Sequence, residues 1–266
     1  MRDFILAPFL SLFSLKFYRR LLALPQTLGF LYLAYLSLFL SVWALFMFRL
    51  YTFPVADDLM SWLAKNLPAM VFTQKGIQME IKEPLLLSHP RWGPFIYLDP
   101  TSDAPKTDDL EKAFVVITRT KVSYRNPSTG ENRTLSILPK NPQQERRDVK
   151  ITGDAILKFW KRSKPFVASI FFVTAFLILY LWKLLAGVFY SLIALIFNYF
   201  RSERLRYPSL LNLTFFALTP AALLEFFSWS FAMWRIPFNL LTAILVTSLY
   251  LVLAILLTQD QRPTTE

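Results

Sequence analysis

The sequence predicts an α-helical multi-pass membrane protein with a small extracytoplasmic α+β domain inserted between the first and second membrane spans. Three observations predict this class: the composition is strongly apolar, four segments are long enough to cross a bilayer, and short β-rich runs lie between the first two. Of the 266 residues, 55% are hydrophobic and 26 are Phe. Because the chain has no cysteine, disulfides and thiolate metal sites are excluded.

Changes of hydropathy set the predicted boundaries, since a span needs about 20 apolar residues to cross a ~30 Å core. The resulting segments are a cytoplasmic amphipathic N-terminal segment (1–26), span 1 (27–50), the α+β domain with flanking amphipathic helices (51–164), a long span 2 (165–200), a basic loop (201–208), span 3 (209–231), span 4 (235–257) and a cytoplasmic tail (258–266).

The second span is unusually long. A hairpin at Lys183, near its middle, would give five spans, but WKLLAG offers only one Gly and no Pro for a reversal in lipid. One long helix is favoured, and five spans remain the alternative. The half after Lys183 is then expected to tilt or to run along the cytoplasmic interface against the N-terminal segment.

Basic residues near the spans predict the orientation, because Lys and Arg close to membrane segments are retained on the cytoplasmic side. They are Arg2, Lys16, Arg19, Arg20, Arg201, Arg204 and Arg206. With four spans, both termini are predicted to be cytoplasmic and residues 69–163 extracytoplasmic. The net charge of +11 is accordingly interpreted as favouring a lipid bilayer as the partner. Nucleic acid is not predicted, because the sequence has no motif that binds it.

Residues 69–163 contain five β-rich runs: IQMEIK, PFIYLD, AFVVITRT, KVSYRN and RTLSIL. NPSTGEN predicts a hairpin turn, with Val122 and Tyr124 alternating on one arm and Leu135 and Ile137 on the other. A mixed α+β domain is therefore expected.

Two amphipathic helices are predicted to flank this domain. In VADDLMSWLAKNL, the side chains of Leu59, Trp62 and Leu63 share one face, which is expected to lie on the outer membrane surface. Thr152 or Asp154 is predicted to cap a helix that leads into the second span.

No constellation for catalysis, cofactor binding or metal binding is found in the sequence, so no enzyme is predicted. His89 is the only histidine and stands in a Pro-rich stretch, which predicts a surface loop. The acid pairs Asp57–Asp58 and Asp108–Asp109 are interpreted as charges at helix N-termini.

The cluster KFWKRSKP places four cations around one Trp where the second span begins: Lys158, Trp160, Lys161, Arg162 and Lys164. Two interpretations stay open. These residues are an ordinary interfacial anchor, or they are contacts for lipid head groups, to which juxtamembrane basic residues contribute about 1 kcal/mol each.

Three residues of the membrane half are candidate structural or functional residues. Pro220 predicts a kink in the third span, with Thr214 and Thr219 taking up freed backbone groups. A carboxylate at Glu225 needs a partner in lipid, and Arg235 is predicted to supply it as an ion pair between spans 3 and 4. A proton or ligand site at Glu225 is the alternative.

The chain resembles a bacterial membrane family, domain of unknown function 1189. The likeness rests on PFLSLFSLKFYRR, GFLYLAYL, KGIQMEIKEP, FIYLDPTSD and RLRYPSLLNLTFFALTPAALL, with Pro100 departing from the family's turn after the outer strand. The membrane half is also faintly similar to Yip-type multi-pass proteins. The resemblance implies the bacterial inner membrane and assigns no catalytic residue.

Two functions follow as expectations. The first is a non-enzymatic inner-membrane accessory, assembly or regulatory protein that presents its outer domain to another envelope protein. The second is a small lipid or solute transport-type protein with a site near Pro220 and Glu225. A transporter needs further polar residues along a path, and spans 1 and 4 offer few.

Overall fold

The computed structural model describes residues 6–21, 25, 27–105, 113–126, 129–137, 148–201, 204–230 and 240–257. The chain forms two compact units. The helical unit comprises residues 1–50 and 168–266, and the sheet unit comprises residues 51–167.

Helices account for most of the described chain. They are α1 (Ala7–Phe13), α2 (Leu15–Leu21), α3 (Thr27–Met47), α4 (Phe53–Asn66), α5 (Gly153–Tyr199), α6 (Tyr207–Ser230) and α7 (Leu240–Leu257), with a π-helical turn (Phe48–Thr52) joining α3 to α4. Three continuous helices are long and apolar enough to cross a membrane: Thr27–Asn66, Gly153–Tyr199 and Tyr207–Ser228. A shorter apolar helix covers Leu241–Leu256. The described helices therefore indicate a membrane protein.

Helix α5 runs without a break through Lys183, so no hairpin interrupts it there. The helix begins at Gly153, where the backbone N–H of Ala155 donates to Oγ1 of Thr152 at 3.3 Å. Thr152 is thus the cap, as the sequence predicts. Gly153 is required for space, since a Cβ there would collide with the carbonyl of Ala64 in α4.

The half of α5 after Lys183 buries one face against the helical unit and leaves the other exposed. Its buried residues Gly187, Tyr190, Ala194 and Asn198 recur every three or four positions, which is the spacing of one helix face. Asn198 holds the chain before α6, because its Nδ2 donates to the carbonyl of Leu205 at 3.0 Å and its Oδ1 accepts from that residue's N–H at 2.9 Å. The expectation that this half tilts or runs along the cytoplasmic interface against the N-terminal segment stays a prediction.

Helix α6 forms the centre of the helical unit, with its residues 212–222 all buried. The ring of Tyr32 in α3 stacks on Phe216 at 3.9 Å, and its hydroxyl shares a hydrogen bond of 2.5 Å with Thr219. The ring of Phe17 in α2 meets Phe216 edge-on at 5.6 Å. The N-terminal helices α1 and α2 thus contribute one face to the core, because Ala7, Phe17, Tyr18 and Leu21 are buried whereas Phe9 and Phe13 are exposed.

The sheet unit contains two sheets. Their strands are β1 (Met70–Thr73), β2 (Gly76–Met79), β3 (Leu85–His89), β4 (Gly93–Asp99), β5 (Val115–Thr118), β6 (Lys121–Arg125), β7 (Asn132–Ser136) and β8 (Val149–Ile151). One sheet has the order β2-β1-β8 and the other β3-β4-β5-β6-β7. Strands β4 and β5 are parallel, and all other neighbours are antiparallel.

The predicted hairpin is confirmed as β6 and β7, with Val122 opposite Leu135 and Tyr124 opposite Arg133. Strands β1, β3 and β8 were not predicted. Helix α4 differs from the expectation, because Trp62 and Leu63 pack against the core formed by Met70, Ile77, Ile96 and Leu98. Burial against the strands therefore covers the part of this apolar face that Trp62 and Leu63 form.

His89 is also placed differently from the sequence expectation. It ends strand β3 with only 3% of its surface exposed, stacked on the ring of Trp92 at 4.2 Å and edge-on to Trp62 at 5.0 Å. Its Nδ1 accepts a hydrogen bond from the N–H of Arg91 at 3.1 Å. The expected surface-loop histidine is a buried member of an aromatic cluster.

Candidate functional site

The most unusual feature of the helical unit is an ion pair between two apolar helices. Nζ of Lys183 on α5 lies 2.7 Å from Oε2 of Glu225 on α6. Lys183 stands about 24 Å before the end of α5, and Glu225 about 27 Å after the start of α6, at ~1.5 Å per residue. Because a short connection joins these helices, the two residues reach the same level and can pair.

The two partners differ in exposure. The side chain of Lys183 is 8% exposed and that of Glu225 is 42% exposed. A buried ammonium without a partner is strongly unfavourable in a medium of low dielectric constant. Glu225 therefore balances the charge of Lys183 and still presents part of its carboxylate to its surroundings.

A cavity of about 600 Å³ lies beside this pair, bounded by α5, α6 and α7. This volume falls within the ~300–1,000 Å³ of typical ligand pockets. The walls are mainly apolar and include Trp182, Leu185, Ala186, Phe189, Leu218, Ala221, Ala243 and Ile244. Four polar side chains share the lining: Lys183, Glu225, Tyr190 and Thr247.

Thr247 brings an unsatisfied hydroxyl to this cavity. It is 1% exposed, and its Oγ1 forms no hydrogen bond of ordinary geometry. The hydroxyl of Tyr190 interacts with Thr247 and with the charge of Glu225. The polar groups of three helices are therefore concentrated in one part of an otherwise apolar cavity.

Pro220 is buried, and α6 continues through it. Its missing N–H frees the carbonyl of Phe216. The two threonines that were predicted to bind this carbonyl have other partners. Thr214 donates to the carbonyl of Leu210 at 2.8 Å, and Thr219 shares a hydrogen bond with the hydroxyl of Tyr32. The expectation that these threonines take up the freed group is corrected.

The predicted pair between Glu225 and Arg235 cannot be followed, since Arg235 lies outside the described residues, as do Asp108 and Asp109. The partner that the structure gives to Glu225 is Lys183. From the sequence, Lys183 was considered only as the position of a possible hairpin turn. The spacing of Lys183, Gly187 and Tyr190, four and then three residues apart, was the signal that could have placed it on a buried helix face.

The residues of the basic cluster KFWKRSKP form two sets, one that contacts Asp57 and one that is exposed. Asp57 on α4 accepts hydrogen bonds from Nε1 of Trp160 at 2.7 Å and from Nζ of Lys164 at 2.8 Å. The Lys164 ammonium, followed by Trp160, holds the pKa of the Asp57 carboxyl below its usual value. Asp57 is thus an ion-pair partner within a helix, and the interpretation of Asp57–Asp58 as N-terminal charges is wrong.

Lys158, Lys161 and Arg162 form the other set and are exposed on α5. These three cations stay candidates for contacts with lipid head groups. Asp58 has a different partner, because its Oδ2 lies 3.8 Å from Nη1 of Arg91. Among the described residues, no group of three or more His, Cys, Asp or Glu side chains could hold a metal ion.

Long apolar helices indicate a helical membrane protein, which has a separate sheet unit and an ion pair beside an apolar cavity of ligand size. The chain belongs to the family described as protein of unknown function (DUF1189), whose model matches residues 8–255. No curated protein and no solved structure matches the chain.

Proposed function

We propose that the protein is a non-enzymatic, transport-type protein of the bacterial inner membrane that binds a lipid-like molecule in the cavity beside Lys183 and Glu225. The cavity carries this proposal. Its apolar walls suit a hydrocarbon chain, and its few polar groups suit one small head group.

The orientation is part of the proposal. Both termini are cytoplasmic, four helices span the bilayer, and the sheet unit is extracytoplasmic. The basic residues of the loop before α6 support it, because such residues are retained on the cytoplasmic side. Arg204 and Arg206 are exposed there.

Cysteine labelling tests this orientation in the naturally cysteine-free chain. Thr129→Cys, in the hairpin turn, is expected to react with an impermeant thiol reagent on intact spheroplasts, whereas Arg204→Cys is expected to react only after permeabilisation. Both positions are exposed, so burial does not protect either thiol. Labelling of Arg204→Cys on intact spheroplasts, without labelling of Thr129→Cys, would contradict the four-span arrangement.

Filling the cavity tests the binding function. Ala221 is 5% exposed and lines the cavity, so Ala221→Phe places a ring in the ligand volume. We expect the amount of co-purified lipid per protein, measured by mass spectrometry, to fall at least about tenfold, as for a loss of 1.4 kcal/mol in affinity.

Leu224→Phe is the matched control, because Leu224 lies on the same helix with 48% of its surface exposed. The control is expected to retain the lipid. Equal lipid content in the Ala221→Phe protein, with its fold intact by circular dichroism, would show that the cavity does not hold the lipid.

A second candidate function is the accessory role, in which the sheet unit contacts another envelope protein. The exposed aromatic surface favours it: Trp92 is 42% exposed and Phe114 38% exposed, with Phe95 stacked against Phe114 at 5.8 Å. Exposed aromatic residues are enriched at protein interfaces.

The accessory role can be tested with the full-length chain. We expect Trp92→Ser to lose a partner that the parent chain retains in affinity capture from solubilised membranes. Leu135→Ser, at another exposed position of the sheet unit, is expected to keep it. Identical partner profiles for all three proteins would remove the support for this role.

A further inference from the structure

We infer that the ligand of this cavity carries an uncharged head group that both donates and accepts hydrogen bonds, such as the hydroxyl of a neutral acylglycerol or a long-chain alcohol. The inference rests on the proposed function and specifies its ligand. It follows from the charges and the hydrogen-bonding state of the polar residues in the lining.

The charge balance of the site disfavours a net-charged head group. Lys183 and Glu225 neutralise each other at 2.7 Å. An anionic head group would have to displace Glu225 from Lys183, and a cationic one would add an ammonium beside Lys183. Either event leaves one charge without compensation in a region of low dielectric constant, which is strongly unfavourable.

The carboxylate of Glu225 offers the acceptor. Its Oε2 receives the hydrogen bond from Lys183, and within the described part of the chain its Oε1 receives none. An ionised carboxylate has several lone pairs and no donor, so it binds a ligand O–H or N–H. The partial exposure of Glu225 leaves this second oxygen accessible.

Thr247 offers the complementary group from α7. Its hydroxyl is almost fully buried in the cavity wall without a hydrogen bond of ordinary geometry. A buried polar atom of this kind costs free energy until a partner arrives. Because a hydroxyl donates as well as accepts, Thr247 can bind the oxygen of the same head group whose proton goes to Glu225.

Tyr190 places these two groups in the same part of the cavity. It interacts with Thr247 and with the charge of Glu225, and it lies on the same face of α5 as Lys183. A small head group that reaches one of the two sites therefore lies near the other. The remaining walls are apolar, which leaves the hydrocarbon chain as the other half of the ligand.

Photolabelling of the full-length protein in phosphatidylcholine nanodiscs tests this specificity. The probe is a twelve-carbon alcohol that bears a diazirine in its chain, and labelled peptides are mapped by mass spectrometry. We expect labels on α5, α6 and α7, displaced by monododecanoylglycerol at a concentration at least about tenfold lower than by dodecanoate or dodecylammonium.

Two substitutions connect the preference to Thr247. Thr247→Val keeps the shape and removes the hydroxyl, so labelling at equal probe concentration is expected to fall about fivefold, the effect of one hydrogen bond. Thr247→Ser is expected to restore it. Thr174→Val, at an exposed position of α5, is the control for loss of a threonine hydroxyl outside the cavity and is expected to label as the parent does.

The failure of this inference differs from failure of the proposed function. No labelling of the three helices by the probe, together with unchanged lipid content in Ala221→Phe, would overturn both. Labelling that is displaced best by a charged competitor, or that Thr247→Val leaves unchanged, would overturn only the neutral head group and leave a lipid-binding cavity.

Discussion

Glu225→Gln is expected to destabilise the protein by about 3 kcal/mol, the lower end of the effect of breaking a buried ion pair. The substitution leaves Lys183, the buried partner, without a counter-charge. Lys183→Met is expected to destabilise the protein as well, because it leaves the carboxylate of Glu225 without its cation between apolar helices. Breaking the pair from either side therefore leaves one charge without compensation.

A double-mutant cycle measures the coupling. The protein with both Glu225→Gln and Lys183→Met is expected to lose less stability than the sum of the single losses, with a coupling energy of about 0.5–3 kcal/mol. Unfolding in detergent micelles is the measurement. Arg235→Gln provides the comparison, since the sequence made Arg235 the candidate partner. Additive effects of Lys183 and Glu225, with coupling between Arg235 and Glu225 instead, would contradict the pair in the structure.

Gly187→Leu is expected to disrupt the packing of α5 against α6 and to give the next largest effect. Phe215 of α6 is 1% exposed and lies where a Cβ of Gly187 would be. A Cβ at Gly29 of α3 would also collide with the same ring. The ring is held between two glycines, so it cannot move away from one without approaching the other helix.

Overpacking of this kind costs about 1–3 kcal/mol. We therefore expect a lower melting temperature for Gly187→Ala and a larger decrease for Gly187→Leu. Val188→Ile adds a methylene at the neighbouring, 39% exposed position and is expected to be neutral. Phe215→Leu should recover part of the loss in the Gly187→Ala background. No difference between Gly187→Leu and Val188→Ile would mean that the helices are not in close contact there.

Local patterns explain what the sequence predicted well. The hairpin of β6 and β7 follows from alternation on both arms and from turn residues between them, all within a short stretch. The unbroken α5 follows from the lack of turn residues around Lys183. In both cases the information lies in neighbouring residues, where backbone preferences act directly.

Contacts between distant segments explain which features could not be predicted from the sequence. The partner of Asp57 is 107 residues away at Lys164, and the partner of Glu225 is 42 residues away at Lys183. A carboxylate near the start of an apparent helix looked like a local electrostatic feature, yet its charge is matched across the fold. His89 was likewise assigned from its Pro-rich neighbours, whereas its burial depends on Trp62 of α4.

Short strands were missed for another reason. Strand β8 has three residues, and LLLSH of β3 shows no apolar-polar alternation. Strands this short carry too few periods for a pattern, and their pairing is decided by the neighbouring strand. Sequence periodicity therefore found the strands of the β6–β7 hairpin and missed β8, whose partner β1 is distant in the sequence.

The contacts at the base of the sheet unit have a consequence for insertion and deletion. Asp57 with Trp160 and Lys164, and Ala64 with Gly153, hold the start and the end of this unit side by side. The entropic cost of closing such a loop rises by only about 0.6 kcal/mol for each doubling of its length. The loops of the chain between α4 and α5 can therefore lengthen or shorten with little effect on the contacts that hold these two helices together.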